Sequence, residues 1–260
     1  MLEGKVILVT GAAGGIGYQA SRVLSAHGAR LVVTDVNREG GEALLADLNA
    51  AGGDAIFQPA DLASEADIEA LVAKAVSHFG RLDGAFNNAG VEQKNKPLDE
   101  LTLEEWDRAI RIDLTAVFLC IKYQVKAMLA TGGGAIVNVS SVSGHRPSPG
   151  TSAYGASKAG LDNLTESLAV EWAPTVRLNS VVCGPIETEL SHLHYGDADG
   201  VAAVGATIPM GRLASPADVG NAVAFLLSPL AAYITGSTLT LHGGGEKPAF
   251  LDAANADNSV

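Results

Sequence analysis

A short apolar run that breaks into glycines constrains this chain more than any other feature. Val6-Ile-Leu-Val-Thr10 is followed at once by Gly-Ala-Ala-Gly-Gly-Ile-Gly, ending at Gly17, and then by a stretch of helical composition. A buried strand entering a glycine turn that opens a helix is the first unit of a parallel α/β sheet. Such a turn lets the backbone at Gly11, Gly15, Ile16 and Gly17 approach a pyrophosphate, and the helix N-terminus adds partial positive charge. Asp35 closes the second apolar run, 18 residues after Gly17. In dinucleotide folds a carboxylate at about that distance accepts hydrogen bonds from ribose hydroxyls, and it would repel the 2′-phosphate of NADP. Gly14 is not basic and Arg38 is the nearest cation, so NAD is the favoured cofactor. Taken alone, the loop also fits a glycine-rich turn with a helix-capping aspartate.

The rest of the chain repeats the alternation. Apolar runs predict strands at 5–10, 30–35, 54–60, 82–88, 134–140, 176–182 and 237–241. Between them, Ser64 with Asp67 and Thr102 with Glu105 read as capping boxes, Gly80 as a helix stop, and Ser215-Pro216 as an N-cap with proline at the first helical position. The expected fold is α/β: a Rossmann-type doubly wound parallel sheet of about seven strands with helices on both faces. A chain of 260 residues, 47% hydrophobic, can bury one full core. Residues 1–245 are therefore read as a single dinucleotide-binding and catalytic domain, and 246–260 as a polar, alanine-rich tail. The stretch 186–211 lacks periodicity and reads as an irregular substrate loop.

Charge and composition exclude other classes. A net charge of -12 argues against nucleic acid or an anionic membrane as partner. Two isolated cysteines, Cys120 and Cys183, make neither a disulfide framework nor a metal cluster, so no metal is expected. No apolar run approaches membrane-spanning length, and the apolar start is too short for a signal h-region. A cytoplasmic protein is expected.

Chemistry enters past the middle of the chain. Tyr154 and Lys158 stand at i and i+4, so on a helix they share a face. Ser141 ends a buried strand upstream of them, across a loop rich in Gly, Pro and Ser. A free phenol titrates near ~10, and lowering that by ~3 units takes roughly 4 kcal/mol of differential stabilisation, which a close cation in low dielectric can supply. The pair alone fits an exposed Tyr and Lys on a helix. Ser141 and the nucleotide loop turn the reading toward a proton-transfer tyrosine beside a nicotinamide, the equipment for interconverting alcohols and ketones.

These motifs together resemble the short-chain dehydrogenase/reductases, from about Lys5 to Gly245. They stand here as Thr10-Gly-x-x-x-Gly-x-Gly17, Asp61-Leu62, Asn87-Asn-Ala-Gly90, Ser141, Tyr154-x-x-x-Lys158 and Gly184-Pro-Ile-Glu-Thr188. The resemblance implies that Tyr154 exchanges the alcohol proton and Ser141 holds the substrate oxygen. Lys158 would lower the Tyr154 pKa and grip the nicotinamide ribose. Asp61 and Leu62 would meet the adenine, Asn88, Ala89 and Gly90 the middle of the cofactor, and Ile186 and Thr188 the carboxamide. It also implies a homotetramer through helices at about 102–130 and 152–172.

Three positions depart from the family pattern. Asp113 replaces a usual asparagine and is counted with the catalytic group; beside Lys158 it would pair with the lysine and weaken its pull on Tyr154. Cys183 stands where a proline commonly precedes Gly184, and His242 where an acidic residue is frequent. Substrate choice should come from 92–97, 142–150 and 189–211, where apolar groups (Val142, Pro147, Leu190, Leu193, Met210) mix with polar ones (Glu92, Gln93, His145, Arg146, His192, His194). Such a pocket suits an alicyclic or steroid-like alcohol. Three readings follow: an NAD-dependent secondary-alcohol dehydrogenase or ketoreductase, an NADP-linked 3-oxoacyl reductase, and a non-catalytic dinucleotide-binding sensor. Asp35 favours the first over the second, and an intact Ser141, Tyr154 and Lys158 favour it over the third.

Overall fold

A computed structural model describes residues 1–189, 191 and 195–245. Its strands are β1 (Val6–Thr10), β2 (Arg30–Thr34), β3 (Ala55–Phe57), β4 (Gly84–Asn87), β5 (Gly134–Ser141), β6 (Val176–Cys183) and β7 (Thr238–Leu241). All are parallel, in the order β3-β2-β1-β4-β5-β6-β7. The order reverses between β1 and β4, which opens a crevice at their C-terminal ends, where ligands of such sheets bind.

Alternation along the strands sends successive side chains to opposite faces. Ile7, Val9, Leu31 and Val33 pack on one face beneath α1 (Gly15–Ala26), α2 (Arg38–Ala50) and α8 (Pro216–Leu227), meeting Leu24, Leu44 and Val223. Val6, Leu8 and Val32 point the other way. They meet α3 (Glu65–Phe79), α5 (Ala116–Ala130) and α6 (Ser152–Trp172) through Leu71, Ile121 and Leu161. Helix ends follow their sequence signals. At Ser64 the expected box is only half made: its side chain accepts the Asp67 N–H, but the Asp67 carboxylate accepts the Asp61 N–H instead of that of Ser64, which goes to the Asp61 carbonyl. Gly80 closes α3 with φ 79°, and reciprocal capping boxes open α4 (Leu103–Ile110) at Thr102 and α8 at Ser215.

Three elements differ from the sequence expectation. The strand expected over 54–60 pairs only over Ala55–Phe57, because Pro59 has no N–H to extend the ladder. Pairing of β4 starts at Gly84 rather than 82. The Asp83 carboxylate instead accepts the Val6 N–H at 3.0 Å and binds Arg81 and Lys5. The stretch 186–211, expected to be irregular, holds α7 (Ala198–Thr207), whose first turn is capped by Asp197 accepting the Gly200 N–H. Its mixture of Ala, Gly and Val gives no polar face for a periodic signal. Leu190, His192, Leu193, His194 and the tail 246–260 lie outside the described residues.

Candidate active site

The C-terminal ends of β1, β2, β4, β5 and β6 bring most of the expected site residues to one edge of the sheet. At β1, the turn is held by close backbone contact. A Cβ on Gly17 would stand 2.0 Å from the Gly11 carbonyl oxygen, and one on Gly11 would stand 2.7 Å from Ala89 Cα. Only glycine fits either place. Asn88 staples this turn to β4: its side-chain amide donates to the Thr10 and Gly11 carbonyls at 3.1 and 3.0 Å. The Thr10 hydroxyl in turn accepts the Asn88 and Ala89 N–H groups.

Two observations fit a bound dinucleotide. Unlike α2, α3, α4, α7 and α8, α1 has no side-chain cap, since Gly14 occupies that position. Its first-turn N–H groups, at Gly15, Ile16 and Gly17, therefore face the crevice with no side chain bound to them. Asp35 extends over the same turn, one carboxylate oxygen accepting the Ala13 N–H at 2.9 Å and the other the Asn37 N–H at 2.9 Å. Each oxygen keeps a lone pair for a further donor. Thr188 lies against Gly15, and Ile186 bridges to Ala214. Asp61 is exposed, and its carboxylate accepts the Ala63 N–H of its own turn; neighbouring Leu62 packs at the margin of the core.

The second half of the site is formed by Ser141 at the end of β5, Tyr154 and Lys158 on one face of α6, and Asp113 in a π-helical turn (Arg111–Thr115) between α4 and α5. Lys158 Nζ donates to the Val139 carbonyl at 3.0 Å, lies 3.9 Å from Asp113 Oδ1, and sits 5.4 Å from the centre of the Tyr154 ring. Asp113 is wholly buried; Oδ1 accepts the Val91 N–H at 2.9 Å, while Oδ2 has no partner. Burial pushes the Asp113 carboxyl up, against the pull of Lys158. Burial also pushes Lys158 down, with Asp113 opposing it.

Tyr154 itself is raised above its ordinary value. Loss of water is the first cause and the Asp113 carboxylate the second, while the hydrogen bond with Ser141 pulls the other way. The lowering expected from Lys158 is therefore overturned: burial and the Asp113 carboxylate outweigh the hydrogen bond with Ser141, and the phenol is held up. Cys183 is buried and its thiol is pushed up to about 12, so it carries no reactive thiolate at neutral pH.

Some of the scaffold gives no signal in sequence. Gln93, placed among substrate-loop residues by its position, is buried and holds the start of α6. Its side-chain oxygen accepts the Ala153 and Tyr154 N–H groups at 2.9 and 3.2 Å, and its amide donates to the Gly150 carbonyl. Behind the site, Asn87, Gln124, Asn138 and Thr165 form a buried chain of hydrogen bonds tying β4, β5, α5 and α6 together. Long-range pairing alone defines these roles. Among the described residues no cluster of His, Cys, Asp or Glu is arranged to hold a metal, and no helix is long and apolar enough to cross a membrane.

A family model described as enoyl-(acyl carrier protein) reductase matches residues 11–246. Cis-4-hydroxycyclohexanecarboxylate dehydrogenase of Sinomonas cyclohexanicum is 42% identical over 241 residues, covering 92% of this chain and 96% of that protein. Cyclohexanol dehydrogenase of Acinetobacter sp. (strain SE19) is 41% identical over 240 residues, covering 92% and 94%. Among solved structures, levodione reductase superposes with a TM-score of 0.90 at 33% identity, covering 94% of this chain and 98% of the other.

Proposed function

The chain belongs to the short-chain dehydrogenase/reductase family of oxidoreductases, and we propose that it is an NAD-dependent dehydrogenase of secondary alcohols carried on six-membered rings. The observation that carries this reading is the meeting of Ser141, Tyr154 and Lys158 with the uncapped α1 turn at one edge of the sheet. The alicyclic substrate rests on the two relatives named above, and on the apolar groups among the loops around the cleft. Asp35 supports NAD over NADP, because its carboxylate stands where a 2′-phosphate would be repelled.

When bound, the nicotinamide supplies the carbon that takes up hydride. The chain's own residues do the rest. The Ser141 hydroxyl and Tyr154 Oη bind the substrate oxygen from two sides and fix its carbon toward the nucleotide crevice. Tyr154 accepts the alcohol proton in oxidation and returns it in reduction. Lys158, anchored on the Val139 carbonyl, presents its remaining N–H groups and its charge to the cofactor ribose and the phenolate. Asp113 fixes the Val91 backbone and tempers that charge.

Self-association through α5 and α6 accompanies this reading, as the family resemblance implies. Support comes from Phe118 and Val170, which are 45% and 82% exposed on those helices. Spectrophotometric assay of cofactor reduction over a panel of cyclohexanols and open-chain secondary alcohols, with NAD and with NADP, tests the function. NAD reduction on ring alcohols is expected, with Tyr154→Phe lowering kcat by about 10²–10⁴-fold. Full speed in Tyr154→Phe would remove the mechanism. Preference for NADP and open-chain 3-oxoacyl substrates would replace the reading with that of a 3-oxoacyl reductase, and NAD binding without turnover with that of a sensor.

A further inference from the structure

Asp162 lies on α6, one turn beyond Lys158, and its carboxylate is buried. A single oxygen, Oδ2, accepts the Ser140 hydroxyl at 2.5 Å and contacts His145 Nε2 at 2.9 Å, while Oδ1 is buried without a partner. A bare carboxylate oxygen in a protein interior calls for an explanation. The two residues it holds flank Ser141: Ser140 precedes it on β5, and His145 ends the turn that follows it. Within that turn the Ser141 Oγ accepts the Ser143 N–H at 3.2 Å. Close backbone approach brings the turn against α6, since a Cβ on Gly144 would stand 2.8 Å from the Ala159 nitrogen. Ser141 is therefore gripped on both sides by one carboxylate, mounted on the helix that carries Tyr154 and Lys158.

We propose that Asp162 is a positioning residue that, through Ser140 and His145, clamps the 140–145 turn to α6 and sets the distance between Ser141 and Tyr154. His145, with a side chain 42% exposed, is the outer arm of the clamp, its Nε2 lying 2.9 Å from Asp162 Oδ2. The inference rests on the roles given above to Ser141 and Tyr154. Small displacements of a group that orients substrate can cost about 10²-fold in rate, so the clamp acts on kcat rather than on cofactor binding.

Three variants read it, assayed with the alcohol the parent oxidises best and with the same alcohol deuterated at the carbinol carbon. Asp162→Leu removes the acceptor. Its kcat is expected to fall about tenfold or more, with KM for the cofactor unchanged and a larger deuterium isotope effect. Asp162→Asn keeps one oxygen able to accept from both arms and is expected to stay within about threefold of the parent, while His145→Ala falls between the two. A folded Asp162→Leu with the parent's kcat and isotope effect overturns the proposal. So does a loss of kcat that tracks only the folded fraction. Should Asp162→Leu fail to fold, Ser140→Ala and His145→Ala remove the arms singly, and the parent's kcat in both overturns the clamp. Tyr154→Phe in the same assays separates the two readings: its retained activity would sink the roles of Ser141 and Tyr154, whereas its inactivity beside an unaffected Asp162→Leu sinks only the clamp. A crystal structure of Asp162→Leu needs no turnover, and a 140–145 turn left in place there also overturns it.

Discussion

At the Gly11–Gly17 turn, shape is set by residues that have no side chain and by main-chain groups. Around Tyr154, it is set by buried side chains whose charges oppose one another. The first region presents N–H groups that need no tuning, and its one ionised group, Asp35, sits at the margin with two backbone donors. In the second, Asp113 and Lys158 are almost wholly buried within 3.9 Å of each other, and the phenol beside them is pushed up rather than down. A binding surface made of backbone tolerates change around it. A proton-transfer site made of coupled buried charges does not, because each group alters the working range of the next.

The largest effect that isolates one region from the other should come from Asp35. Asp35→Ala removes the carboxylate that the proposed function sets against the adenosine ribose and leaves Ser141, Tyr154 and Lys158 untouched. Affinity for NADP relative to NAD is expected to rise by about 10–100-fold, since a like-charge clash costs several kcal/mol. The kcat at saturating cofactor should stay near the parent's. Titration of both cofactors by fluorescence, beside steady-state rates, checks this; a kcat that falls with the affinity would show that the two regions are not separable.

This contrast explains what could be read in advance. Strand alternation, capping boxes and the glycine turn are local, so the parallel sheet, its helix ends and the nucleotide-facing loop follow from residue type and spacing. Tyr154, Lys158 and Ser141 were legible as a constellation because the helix places two of them a turn apart and a strand end supplies the third. Gln93 and Asp162 were not. A polar residue in an otherwise ordinary segment says nothing of which distant group it will meet, whether the backbone of Gly150, Ala153 and Tyr154 for Gln93 or the side chains of Ser140 and His145 for Asp162. The sign of the Tyr154 shift was equally hidden, because it depends on how far burial and the Asp113 carboxylate outweigh the hydrogen bond with Ser141. The π-helical turn at Arg111–Thr115 is a third case, since 102–130 has the composition of one uninterrupted helix.

Gln93 offers a smaller effect on the other region. Gln93→Ala leaves the Ala153 and Tyr154 N–H groups without their acceptor at the start of α6, where Thr151 makes no side-chain cap. Unsatisfied buried donors cost about 1–3 kcal/mol, to be read as a lowered denaturation midpoint. NAD affinity should move less than stability, because the hydrogen bonds of Gln93 go to Gly150, Ala153 and Tyr154 and not to the α1 turn. A variant with unchanged stability would mean that water replaces the amide at that helix end.

The finest test lies in Asp113, where the two influences on Tyr154 can be separated by pH. In the proposed mechanism oxidation requires Tyr154 to accept a proton, so the rate is expected to rise with pH through the range in which the phenol ionises. The Asp113 carboxylate raises that range, second only to burial. Asp113→Asn keeps an oxygen for the Val91 N–H but removes the charge. Tyr154 then gives up its proton at lower pH, and the acid limb of the kcat profile moves down, by no more than about one pH unit for a Coulomb effect of ~1.4 kcal/mol. The neutral side chain also ceases to support the Lys158 ammonium, which Asp113 holds up against burial, so the alkaline limb should fall earlier and the profile narrow from that side. Superimposable profiles would mean that Asp113 carries its own proton throughout, as its burial favours, and would leave it only the task of holding the backbone at Val91.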